Sequence, residues 1–216
     1  MSDSGNFRNL RDSLYGNLVA LACVPKVEID GVETEQLERR FFPDGSATKV
    51  LTFSRLERLF ALVVATGHEQ LRRVEPRQLA RQLGDRNLHV YLAILITSKC
   101  DLESLLSFTT KLLVPRTWTD VEHELARLPV EHRSSLRVVL GDDVTADIFF
   151  QKQHDFFAPV IEKNKEIRGH FRRVPYVKEK LIGQGSFGKI YEVVVRLLAM
   201  RSSLHSTHLR LLYSNH

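Results

Sequence analysis

Residues 87–115 read Asn-Leu-His-Val-Tyr-Leu-Ala-Ile-Leu-Ile-Thr-Ser-Lys-Cys-Asp-Leu-Glu-Ser-Leu-Leu-Ser-Phe-Thr-Thr-Lys-Leu-Leu-Val-Pro. Leu88, Leu92, Leu95 and Ile96 recur at helical spacing, and so do Leu102, Leu105, Leu106, Leu112 and Leu113. That period puts apolar side chains on one helical face, whereas a half-buried strand would alternate. Asn87 and Asp101 stand where a side-chain oxygen can accept the free N–H groups of a first turn, so each is expected to cap a helix. Pro115 has no N–H to donate and ends the second helix. Two helices separated by a few residues make the class mainly α.

Working toward the N-terminus, Pro76 suits a first helical turn, and Leu79 and Leu83 follow it. Ser54-Arg55-Leu56-Glu57 has capping-box spacing ahead of Leu59, Leu62 and Val63, with Gly67 as a left-handed stop. Phe7, Leu10, Leu14, Leu18 and Leu21 form a stripe over residues 6–24, closed by Pro25. Between these lie two turns, Asp30-Gly31 and Pro43-Asp44-Gly45, and a short helix is expected from Glu33 to Arg40. On the C-terminal side, Thr119-Asp120-Val121-Glu122 is a second capping box, and Pro129 stops the helix that carries Leu125 and Leu128. Residues 130–140 are one more helix, closed by Gly141. Short helices of this kind hold only by packing their apolar faces together, so residues 1–150 are expected to be one helical domain.

The chain has 216 residues, 43% of them hydrophobic and 26% charged, which is ordinary globular usage and excludes wholesale disorder. No apolar run approaches the roughly 20 residues of a spanning helix, and the polar start lacks the features of a secretory signal, so no membrane partner is expected. Two cysteines, Cys23 and Cys100, are too few for a disulfide scaffold. An intracellular protein with reduced thiols is expected, cytoplasmic or nuclear.

The net charge of +5 permits contact with nucleic acid but does not require it. Arg72, Arg73, Arg77, Arg81 and Arg86 form one basic cluster without interleaved aromatic residues. A second runs from Lys163 to Lys180, preceded by Glu162 and broken by Glu166 and Glu179. Both read as solvated faces or linker, residues 151–173 being a basic linker, and nucleic acid is disfavoured. His68-Glu69 and His123-Glu124 begin like a zinc-protease helix, but Arg72 and Arg127 stand where the second histidine belongs, so no metal site is expected. Trp118 is assigned to packing, and Phe149, Phe150, Phe156 and Phe157 to docking the linker segment.

The stretch that carries chemistry is 174–195, Val-Pro-Tyr-Val-Lys-Glu-Lys-Leu-Ile-Gly-Gln-Gly-Ser-Phe-Gly-Lys-Ile-Tyr-Glu-Val-Val-Val. Gly183, Gly185 and Gly188 allow tight curvature and let backbone N–H groups approach phosphate oxygens. A dinucleotide fold needs a helix directly after the glycines, but Ile190 to Val195 is β-branched and aromatic, a strand former. No Gly-Lys-Ser/Thr closes the loop as in a Walker motif. What is left is strand, glycine turn, strand.

Leu181-Ile182-Gly183-Gln184-Gly185-Ser186-Phe187-Gly188-Lys189-Ile190-Tyr191 resembles the first two strands of a eukaryotic protein kinase domain. The resemblance covers about a tenth of the chain and implies an incomplete kinase N-lobe β-hairpin over residues 174–195. It implies that Ile182, Gly183, Gln184, Gly185, Ser186, Phe187, Gly188 and Ile190 contact ATP. Ile182 and Ile190 would cover the adenine. The backbone of Ser186, Phe187 and Gly188 would lie over the phosphates, with Phe187 at the tip. The activity implied for the family is ATP-dependent phosphorylation of protein, with Ser/Thr the expected acceptor and ATP and Mg as cofactors.

The catalytic residues of that family are missing. No lysine follows Lys189 to serve as the third-strand lysine, His132-Arg133 continues as Ser134, and Asp155-Phe156 continues as Phe157. Catalysis by this chain is therefore not expected, and no residue is assigned a catalytic role. Residues 196–216 contain no Asp or Glu. This shift in composition suggests a reading frame that leaves the kinase by early termination, retained intron or frameshift, with an aberrant or disordered tail, or else a genuine short isoform with an amphipathic tail. The alternative is a non-enzymatic helical module that binds a protein partner, with the hairpin incidental.

Overall fold

The computed structural model describes residues 3–29, 31–35, 37, 40–115, 117–157, 176–185, 188–196 and 206–214. The chain is mainly helical, with an antiparallel glycine hairpin after the helical region. It divides into two compact units, each discontinuous in sequence: a helical unit of Met1–Leu21 and Gly45–Phe156, and a sheet unit of Ala22–Asp44 and Phe157–His216.

The helical unit contains α1 (Asp3–Leu21), α2 (Ser46–Val50), α3 (Phe53–Val64), α4 (Pro76–Asp85), α5 (His89–Thr97), α6 (Leu102–Phe108), α7 (Asp120–Ala126), α8 (Arg133–Leu140) and α9 (Asp143–Lys152). At its centre is α5, where Tyr91 through Thr97 are all buried. A helix apolar on every side belongs inside a core, and α1, α2 and α9 pack around this one. The Tyr91 ring stacks on Phe108 of α6 at 5.3 Å and meets Phe149 of α9 at 4.7 Å between centroids. Phe7, Leu14 and Leu18 bury the inner face of α1, while Leu21 at its end is exposed.

Several local expectations hold. Pro76 opens α4, Gly67 and Gly141 adopt φ 73° and 72°, and the Asp101 carboxylate accepts from the Ser104 N–H at 2.8 Å. Thr119 and Glu122 form their capping box, the Thr119 N–H donating to the Glu122 carboxylate at 2.7 Å. Others are corrected. Helix α3 begins at Phe53 with Thr52 as N-cap, so Ser54 is already inside the first turn and caps nothing. Asn87 does not cap α5. It sits at φ 55° beyond the end of α4, its N–H on the Gly84 carbonyl at 3.0 Å and the Leu88 N–H on Leu83 at 3.0 Å. That is a Schellman ending, in which asparagine takes the left-handed place usually held by glycine.

The helix after Asp101 also changes character. Residues Thr109–Leu113 widen into a π-helical turn. Its loosened carbonyls find donors from other segments. Arg86 donates to Leu113 at 3.2 Å and also to Leu112 and Pro115, and the Trp118 indole N–H donates to Leu112 at 3.0 Å. The Arg86 guanidinium lies 4.9 Å from the Trp118 ring, so Trp118 has the packing role expected of it. The helical region reaches past residue 150. Asp142 caps α9, which runs to Lys152, and a 3-10 turn continues to Asp155, so the start of the expected linker is helical. Buried Gln153 fixes this end through its amide, accepting from the Val130 N–H at 2.7 Å and donating to the Val130 carbonyl at 3.1 Å.

The sheet unit has five strands in the order β2-β1-β3-β4-β5. These are β1 (Lys26–Ile29), β2 (Val32–Glu35), β3 (Tyr176–Gly185), β4 (Gly188–Arg196) and β5 (Ser206–Ser214). The helix expected from Glu33 to Arg40 does not form over β2. Val27, Ile29, Val32 and Thr34 alternate with charged residues on both sides of Asp30-Gly31, with Gly31 at φ 81°, which is hairpin patterning. Part of the terminal segment expected to be aberrant or disordered, Ser206–Ser214, is strand β5 and pairs antiparallel with β4 from Gly188–Ser214 to Arg196–Ser206.

Candidate functional site

The glycine motif spans β3 and β4. The β-branched run that follows Gly188 favours extended backbone, and the chain leaves that glycine as a strand. The two strands pair antiparallel, Gln184 opposite Lys189 and Gly185 opposite Gly188. Ser186 and Phe187, assigned to the flap tip, lie outside the described residues. Gly183 faces Ile190 across the ladder. The register steps from Leu181–Tyr191 to Gly183–Ile190, so Ile182 occupies a bulge and has no partner on β4. A second bulge falls at Val177, between the Tyr176–Val195 and Lys178–Val194 pairs. Bulges increase local twist and bend the strand that carries them. The hairpin is therefore bent where β3 enters its glycine segment, and the glycines remove Cβ obstruction where the strands turn back.

The other edge of β3 is also occupied. Lys26, Val27 and Glu28 of β1 pair in parallel with Lys178, Glu179 and Lys180. The Glu28 carboxylate and the Lys180 ammonium are 3.2 Å apart. On its far side β1 pairs antiparallel with β2, and Lys26 contacts Glu33 at 3.6 Å. Sequence reading did not associate residues 26–28 with the motif. Asp-Gly between alternating runs signalled a hairpin there, but a pairing across about 150 residues leaves no local trace.

Burial shifts titratable groups of the helical unit. Burial pushes the Cys100 thiol up to about 12, so the thiol is protonated at neutral pH and is a poor nucleophile. Burial also lowers the His89 pKa, and the His123 ring packs edge-on against Trp118 at 5.1 Å. Among the described residues no group of three or more His, Cys, Asp or Glu is placed to hold a metal ion, and no helix is long and apolar enough to cross a membrane.

Comparisons with family models, with curated proteins and with solved structures found no match to this chain.

Proposed function

We propose that β3 and β4 are the nucleotide flap of a eukaryotic protein kinase catalytic domain, joined to a helical regulatory unit, and that these 216 residues bind MgATP without transferring its terminal phosphoryl group. The observation that carries this reading is the strand that follows Gly188: β3 runs up to Gly185, β4 starts at Gly188, and the two glycines form the last pair of the ladder. A flap needs that arrangement, and a dinucleotide fold needs a helix there instead. Ile182, Gly183, Gln184, Gly185, Ser186, Phe187, Gly188 and Ile190 are the proposed ATP contacts. Backbone N–H groups near the turn would hold the phosphates, and the two isoleucines would cover the base.

Strand β5 follows β4 as a third strand would, but Ser206–Ser214 contains no lysine to hold the α- and β-phosphates. Without that lysine, a base aspartate and magnesium ligands, the transferring group is neither positioned nor neutralised. The test is incubation of the purified chain with radiolabelled MgATP and a protein rich in Ser and Thr. No incorporation above background is expected, and clear turnover would overturn the assignment of inactivity.

A second reading, a helical protein-interaction module, is favoured by the separate core around Tyr91, Phe108 and Phe149. It predicts that MgATP leaves the amide exchange of β3 and β4 unchanged.

A further inference from the structure

We propose that β1 is a clamp on the base of the flap, and that its pairing with β3 sets how well the glycine segment is held for phosphate. The nucleotide part of this inference rests on the flap reading above. Three features define the clamp. Among the described residues the β1–β3 ladder covers Lys178, Glu179 and Lys180. The bulge at Ile182 follows within two residues, and the glycines come directly after it. The last clamped pair, Glu28 with Lys180, is also tied by its side chains at 3.2 Å.

The flap thus has a base held on both edges, by β1 and by β4, and beyond the bulge a segment that, among the described residues, pairs with β4 alone. A strand held on both sides opens far less often than one held on a single side, so ordering of the base steadies the glycine segment of β3 that follows it. The clamp also comes from a distant part of the sequence. Residues 22–44 lie between α1 and the rest of the helical unit, whereas β3 follows it. Closing a connection of that length costs entropy that is recovered only when β1 docks. Any event that withdraws the β1–β2 hairpin would release the flap without touching a nucleotide contact. That gives the N-terminal region a direct mechanical hold on nucleotide affinity.

The test uses the full 216-residue chain and peptide-resolved amide exchange, with MgATP titration as a separate arm. Glu28→Lys sets like charges side by side on neighbouring strands and should raise exchange over residues 176–182 by about three- to ten-fold. Glu28→Gln, which removes the charge attraction without adding a repulsion, should raise it by about two-fold. The swap Glu28→Lys with Lys180→Glu should return exchange to the wild-type value. Peptides from α5 should be unchanged throughout.

Unchanged exchange over 176–182 in both single variants would overturn the proposal. So would failure of the swap to restore it, or an equal rise in α5. If MgATP binds, its affinity should weaken with Glu28→Lys by a similar factor and recover in the swap, and an affinity indifferent to both would overturn control of the nucleotide by the clamp. If exchange responds as expected but no variant, wild type included, binds MgATP, the clamp stands and the flap reading fails.

Discussion

Lys99 does at the end of α5 what Asn87 does at the end of α4. Both residues have left-handed backbone, φ 56° and 55°. The Lys99 N–H reaches the Ile96 carbonyl at 3.0 Å and the Cys100 N–H reaches Leu95 at 3.2 Å, the same pair of bonds that surrounds Asn87. The geometry is shared but the cost is not. Asparagine tolerates the left-handed region, whereas a lysine Cβ crowds its own carbonyl. Arg11 compensates from α1, donating through Nη1 to the carbonyls of Lys99 at 3.1 Å and Cys100 at 2.9 Å. A cation at a helix C-terminus also meets the negative end of the helix dipole.

Lys99→Gly should therefore stabilise the chain by about 0.5–1 kcal/mol, a little less than the full left-handed penalty because the contact of Lys99 with the Tyr15 ring at 5.8 Å is lost. Asn87→Ala should destabilise by about 1 kcal/mol, since alanine tolerates the left-handed backbone at φ 55° less well than asparagine does. Urea unfolding with an unchanged m-value checks both. A Lys99→Gly chain less stable than wild type would contradict the assignment of strain.

Tyr91 makes a second prediction. It is completely buried, and among the described residues its hydroxyl has no hydrogen-bond partner. Burial raises its pKa, so no tyrosinate forms there while the chain is folded. Tyr91→Phe keeps both ring contacts and removes the unsatisfied group. The expected change runs from neutral to about 1–2 kcal/mol of added stability. Phe149→Ala, which empties the other side of the same cluster, should cost about 3–5 kcal/mol. Thermal unfolding of the two variants side by side is the measurement.

Acid should weaken the end of the helical unit through Asp142. The Thr145 hydroxyl, and then its N–H at 2.6 Å, lower the pKa of this N-cap carboxylate. A carboxylate whose folded pKa is depressed contributes stability above its unfolded value, near 4, and loses it as pH falls through the folded value. Asp142→Asn keeps an acceptor at the cap while removing the titration, so its stability should fall less than that of wild type between about pH 4 and pH 2. Parallel acid limbs for the two proteins would remove Asp142 from the account.

Legibility in the sequence followed the range of the interaction. The α5 core, the Asp101 cap, Pro76 at the start of α4 and the stop at Gly67 depend on residues within one or two turns, and apolar period and cap chemistry report them directly. Asn87 was ambiguous because asparagine suits both an N-cap and a left-handed ending, and the two bonds to Gly84 and Leu83 decide it. Ser54 and Glu57 had the spacing of a box, but the helix starts before them. Residues 33–35 lost their expected helix because β1 lies opposite. At the candidate site the glycines and the strand after them were visible in local composition. The bulge at Ile182 and the β1 pairing were not, since one depends on register and the other on a partner far back in the chain.

The flap itself is tested most directly by calorimetric titration of the 216-residue chain with MgATP, beside a Gly185→Val variant. Wild type should show saturable sub-millimolar binding. Loss of that binding is expected in the variant, because a valine side chain would stand where a phosphate has to approach the backbone N–H groups, with unfolding of the helical unit unchanged. Absence of saturable binding to wild type, or equal binding by Gly185→Val, would contradict it.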